Sequence, residues 1–194
     1  MLENILVQRN VKTKTRIGIK TLVSVLVVAL AVALPQIVHV AAGAQGGMIY
    51  LPMYLPVVIG GCLLGTWWGL GVGIMSPIVS FAITSLAGNS MPALARLPFM
   101  IVELGVFALV SGLFSKLIYK HSWVAIPATL TAFIAGRATF LALVAIFQGV
   151  TNLSVGVVWN QILMGWPGLI IIAVVVPTFT ILLNVLLKKE KKES

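Results

Sequence analysis

FMIVELGVFALVSGLFSKLIYKHSWVAIPATLTAFIAGRATFLALVAIF, residues 99–147, holds two long apolar runs joined by a short basic link. The first run carries Glu103 and the second Arg137, and an uncompensated ionised group in hydrocarbon is expensive. At ~1.5 Å per helical residue, both runs are long enough to cross ~30 Å of hydrocarbon. They read as antiparallel membrane helices with a polar interior between them. Glu103 lies four residues into its run, on the side away from Lys116 and Lys120, and Arg137 lies mid-run with a side chain able to reach that way. A salt bridge would compensate both groups and fix the packing of the two helices. Direct contact of either residue with a ligand is the other reading, and the two overlap, because a buried pair can floor a polar cavity.

Working outward, TLVSVLVVALAVALPQIVHVAAGA (21–44) carries no charge if His39 is neutral and predicts a span over about 19–40. Pro35 is expected to kink its outer part or to end the helix there. LPMYLPVVIGGCLLG (51–65) is short and holds Pro52 and Pro56, and TWWGLGVGIMSPIVSFAITSLAG (66–88) holds Pro77. Such glycine-rich, proline-interrupted segments predict broken or tilted helices whose freed backbone groups face protein or a wet cavity. Their spans are placed at about 51–65 and 67–86, followed by 99–119, 124–147 and a long final run at 157–187 that Pro167 and Pro177 divide.

The expected fold is therefore an all-α integral membrane protein, a single domain over 1–194 with six transmembrane helices in a compact bundle. Six spans put eleven of the 13 Lys and Arg on one face: Arg9, Lys12, Lys14, Arg16, Lys20, Lys116, Lys120, Lys188, Lys189, Lys191 and Lys192. Only Arg96 falls opposite, and Arg137 falls within the membrane. By the positive-inside rule both termini should be cytoplasmic, whereas five or seven spans would leave one basic terminus outside. The net charge of +9 is thereby explained by topology and anionic lipid, and no interleaved basic and aromatic surface points to nucleic acid. A cleaved signal peptide is not expected, because the first apolar run is long and lacks a convincing cleavage site.

With 60% hydrophobic and 9% charged residues, little chain remains for soluble chemistry. Cys62 stands alone, which excludes an intrachain disulfide and leaves it as a packing residue. His39 and His121 are far apart without a carboxylate cluster, so no metal site is expected. There is no phosphate-binding glycine loop, so any ATP consumed in transport must be hydrolysed by a partner. No nucleophile–base arrangement supports an enzyme, and no cofactor is expected on this chain.

The loops expected on the outer face are 41–50, 87–98 and 148–156. In or beside them stand His39, Gln45, Tyr50, Tyr54, Asn89, Arg96, Asn152, Ser154, Trp159, Asn160, Gln161 and Trp166, offering hydrogen-bonding groups and aromatic walls for a small-molecule pocket. Trp and Tyr also gather at membrane interfaces for purely physical reasons, and Trp67 and Trp68 read as such anchors. The adjacent amides Asn160 and Gln161 are harder to place at membrane depth without partners. In the first span Ala29 and Ala33, four residues apart, make a smooth stripe open to close approach by another helix, within this bundle or beyond it.

This pattern resembles the substrate-binding S component of energy-coupling-factor transporters, the vitamin importers of bacterial cell membranes. The resemblance runs from about residue 20 to 185. It is carried by the Ala29-x-x-x-Ala33 motif, by LPMYLPVVIGGCLLGTWWGLGVGIMSPIVSF, by ARLPFMIVELGVFALVSGL and by the Gly136–Arg137 pair. It implies a high-affinity vitamin-binding subunit with its ligand enclosed near the outer face. Ala29 and Ala33 would dock onto a transmembrane coupling subunit, and two cytoplasmic ATPases would drive a toppling movement. Pantothenate is the preferred substrate, its carboxylate suited to Arg96 or Arg137. Pyridoxine, a thiamine-precursor pyrimidine and cobalamin stay open, as does a self-sufficient secondary transporter that uses Glu103 as its ion-coupled group.

Overall fold

A computed structural model describes residues 1–88, 90–147 and 154–193, with the side chains of 44 and 188–193 outside the description. All regular structure among these residues is helical. In chain order the α-helices are α1 (Leu2–Gln8), α2 (Thr13–Tyr50), α3 (Tyr54–Leu64), α4 (Thr66–Leu86), α5 (Leu97–Leu113), α6 (Ser115–Lys120), α7 (Ala125–Phe147), α8 (Val155–Met164) and α9 (Trp166–Glu193). A 3-10 turn, Ser122–Val124, joins α6 to α7.

Five stretches are long and apolar enough to cross a membrane: Thr13–Gly43, Gln45–Leu64, Thr66–Leu86, Ser122–Phe147 and Trp166–Leu187. The chain is a multi-span helical membrane protein. Helix α5 is shorter, at 17 residues, and α6 follows it directly after Phe114. The long run predicted over 157–187 is divided at Gly165 into α8 and α9.

The irregular point of the first span is Gly43 rather than Pro35. The backbone stays helical through Pro35 and breaks at Gly43, where φ is +71° and ψ −172°. Only glycine reaches that region without steric penalty, whereas proline removes one hydrogen bond and leaves its own φ helical. Proline-bearing α4 likewise runs unbroken through Pro77.

Helix α5 forms the centre, packed against α3, α4 and α7. Leu104, Phe107 and Ala108 on it are fully buried, together with Val57 and Val58 of α3 and Ala128 and Ala132 of α7. Gly61 and Gly69, in the segments predicted to be broken or tilted, and Gly112 of α5 let helices meet backbone to backbone. A Cβ on Gly69 would stand 2.9 Å from the Gly61 Cα, and one on Gly112 would stand 2.7 Å from the Thr66 Cα. One on Gly136 would meet the Phe107 ring at 2.6 Å. In a bilayer, where lipid tails compete equally for apolar surface, such close approach is a main source of helix–helix attraction.

Lys20, Lys116, Thr66 and Ser115 share one end of the bundle with α1, where the Lys20 ammonium donates to the Glu3 carboxylate. The Asn184 amide of α9 reaches the same end, donating at 2.8 Å to the Ile118 carbonyl and at 2.8 Å to Ser122 Oγ.

Candidate functional site

At the end opposite the lysines, the stretch after α4 folds back over the bundle. Ser80 Oγ donates to the Met91 carbonyl at 2.8 Å, and the Met91 N–H donates to Thr84 Oγ1 at 2.7 Å. Ser80 and Thr84 are one turn apart on α4, so a single helical face straps this stretch down. Beneath the strap lies a cavity of about 280 Å³, walled by the outer part of α2, the Leu51–Tyr54 turn, Ser80 and residues 91–100.

His39, Tyr54, Ser80 and Arg96 supply its polar groups, and Met48, Met53, Met91 and Met100 with three prolines supply soft apolar walls. Among the described residues the Arg96 side chain has no ion-pair or hydrogen-bond partner. Arg96 is half-buried at a mostly apolar cavity, and a guanidinium matches a carboxylate in charge and fork geometry. Methionine side chains adapt to irregular or aromatic ligand surfaces.

Tyr54 is the wall shared with a second cluster deeper in the bundle. Its hydroxyl donates to Glu103 Oε2 at 2.6 Å, and Arg137 Nη1 donates to Glu103 Oε1 at 2.9 Å. The guanidinium carbon stands 4.9 Å from the Tyr54 ring centroid, a cation–π arrangement. Phe107 packs edge-on to Tyr54, with 5.2 Å between centroids, and Phe133 packs against Phe107 at the same separation. Glu103 is fully buried, and the Arg137 side chain is 13% exposed. The salt bridge read from the sequence is present. Neither partner lines the cavity, so their effect on it runs through Tyr54. Two further Arg137 donors, Nε and Nη2, are buried with no partner among the described residues.

Of the residues singled out from the sequence, the fold brings His39, Tyr54 and Arg96 to the cavity and leaves others outside it. Gln45 and Tyr50 lie exposed beyond the Gly43 break. Trp159 (53% exposed) and Trp166 (61%) face outward from α8 and the start of α9. Asn160 is exposed and Gln161 half-buried on α8, neither on the cavity wall. Position along the chain groups these α8 residues with the pocket, but the rotation of a ten-residue helix decides where they point. Asn89 and Asn152 lie outside the described residues. Ser80 and the four methionines are not among the residues singled out from the sequence. A Ser–Thr pair at i, i+4 in an apolar helix was the available signal for the strap.

Ala29 and Ala33 are exposed on α2 and line a separate groove of about 830 Å³ between α2 and α4, whose walls are almost wholly aliphatic or aromatic. Cys62 is buried, and no three His, Cys, Asp or Glu side chains gather among the described residues.

No protein-family model matches the chain, and comparisons with curated proteins and with solved structures return no significant match.

Proposed function

We propose that this chain is the substrate-capture subunit of an ATP-driven importer of the energy-coupling-factor type, taking a small water-soluble vitamin into the cavity beneath the Ser80–Thr84 strap. The observation that carries the reading is that cavity, at the end away from the lysines, with the unpartnered Arg96 in its wall. In this reading α2, α3, α4, α5 with α6, α7 and α9 make six passes, and the positive-inside rule makes the lysine end cytoplasmic and the cavity external. The chain would belong to a bacterial cell membrane.

A volume of about 280 Å³ lies at the small end of the range of small-molecule sites. That size supports pantothenate, pyridoxine or a small pyrimidine over cobalamin. The Arg96 guanidinium favours pantothenate among them, because it alone brings a carboxylate. The pairing of Glu103 with both Tyr54 and Arg137 weighs against an ion-coupled secondary transporter, since both carboxylate oxygens already accept hydrogen bonds.

Native mass spectrometry of the protein purified from cells in rich medium, with release and identification of any bound ligand, tests the reading. A retained vitamin near 1:1 is expected; an empty protein that also ignores a vitamin panel would refute it. Hydrogen bonds to charged groups contribute about 1.5–3 kcal/mol, so Arg96→Gln should weaken pantothenate binding about 10–100-fold by calorimetry, without a change in thermal stability. Unchanged affinity would remove Arg96 from the site.

Ala29 and Ala33 lie on the face proposed to meet the coupling subunit, which in turn would carry two cytoplasmic ATPases. Ala29→Leu and Ala33→Leu should each abolish co-purification with that subunit while leaving vitamin affinity within about twofold, since close helix approach needs small residues. Co-purification at wild-type yield would show that another face docks.

A further inference from the structure

The lysine end carries a second polar recess, of about 310 Å³, distinct from the cavity described above. Its walls include Lys20, Lys116, Thr66 and Ser115, with Glu3 and Asn4 contributed by α1. Lys20 donates to Glu3 and stands 5.9 Å over the Trp68 ring. Lys116 is exposed and has no hydrogen-bond or ion-pair partner among the described residues. Lys20 and Lys116 thus line the recess with one carboxylate, Glu3, and with the Met1 amino group, which donates to Ser115 Oγ.

This recess runs into the apolar groove between α2 and α4. Trp67 and Trp68 wall both, and Ser24, where the groove begins on α2, is one helical turn beyond Lys20. Beyond the indoles the groove is lined by Val28, Ala29, Val32, Met75 and Ile83, and Gly71 opens its floor. The order along the bundle is therefore cation, then paired indoles, then hydrocarbon-lined groove. An anionic glycerophospholipid has the matching order of phosphate, glycerol ester and acyl chain. Indoles settle at the ester level of a bilayer, and each lysine near an anionic surface contributes about 1 kcal/mol.

We infer that the recess and groove together form a binding site for one anionic glycerophospholipid, its phosphate between Lys116 and Lys20 and an acyl chain along α2 and α4. The charge of the recess and its continuity with the groove favour a lipid over a soluble phosphate or a protein helix. The inference does not rest on the proposed function. If that function holds, the lipid covers Ala29 and Ala33 in the solitary subunit and must leave before a partner docks.

The test is native mass spectrometry of delipidated protein titrated separately with phosphatidylglycerol, phosphatidylcholine and glycerol 3-phosphate. Phosphatidylglycerol should bind at least about fivefold more tightly than phosphatidylcholine, and Lys116→Gln should remove that preference. Gly71→Leu should weaken both lipids, because a Cβ there meets nothing within 4 Å and the side chain fills the groove without disturbing the bundle. Equal binding of the two lipids, or a preference that survives Lys116→Gln, would overturn the proposal. Glycerol 3-phosphate binding as tightly as phosphatidylglycerol would overturn it too, marking a soluble phosphate-ester site. A thermal unfolding midpoint shared with the wild type confirms that each variant is folded.

Discussion

Arg137→Met is expected to destabilise the bundle by about 3–5 kcal/mol, the effect of leaving a buried carboxylate without its counter-charge. Glu103 is fully buried, and among the described residues its side-chain partners are Tyr54 and Arg137. Removing the guanidinium leaves the Tyr54 phenol, among the described residues, to hold a carboxylate in a low-dielectric interior. Arg137→Lys should recover only part of the loss, because an ammonium lacks the planar face that lies over the Tyr54 ring. The double variant Glu103→Gln with Arg137→Met should regain most of the stability, since it removes both charges and keeps an acceptor for the tyrosine. Unfolding of purified protein by heat or graded detergent, followed by tryptophan fluorescence, reads all three. A single variant within about 1 kcal/mol of wild type would show that the pair does not hold α5 to α7.

Gly73→Val should be nearly as damaging, for a steric reason. A Cβ at Gly73 would lie 2.9 Å from the Leu104 carbonyl carbon and 3.0 Å from the Gly105 Cα. Those are backbone atoms of the central helix and cannot swing aside, so α4 and α5 must part. Overpacking of this kind costs about 1–3 kcal/mol, and two further methyl groups place valine at the upper end of that range. Gly71→Ala is the matched control, two residues earlier on the same helix, where a Cβ meets nothing within 4 Å. It should be neutral or slightly stabilising, since alanine is the better helix former. Yield of monodisperse protein and the thermal midpoint distinguish the two; a tolerated Gly73→Val would mean that α4 is free to move away from α5.

These two variants also mark how much was legible beforehand. The Glu103–Arg137 pair was readable because charge in hydrocarbon must be compensated and adjacent antiparallel runs offered the two signs. The glycines of 51–88 predict broken or tilted helices, yet α3 and α4 run unbroken through Gly61, Gly69 and Gly73. Composition shows that glycine is frequent without showing whether a helix or a cavity lies against it. Gly43 does break its helix, and Gly61, Gly69, Gly73 and Gly112 do not.

The sequence by itself determined that this is an all-helical, multi-span membrane protein, that its lysines and arginines lie mainly in flanking segments, and that its interior is polar around Glu103 and Arg137. Each follows from hydropathy and charge, which act locally along the chain. Only the tertiary structure decided that His39, Tyr54, Ser80 and Arg96 share one cavity while Gln45, Tyr50, Asn160 and Gln161 do not. Each helical residue turns the side-chain direction by about 100°, and helices apolar on every side carry little information about which way they face. Contact of the α4 glycines with the α5 backbone and the strap from Ser80 and Thr84 to Met91 supply that information, and both are made only when the elements fold against one another.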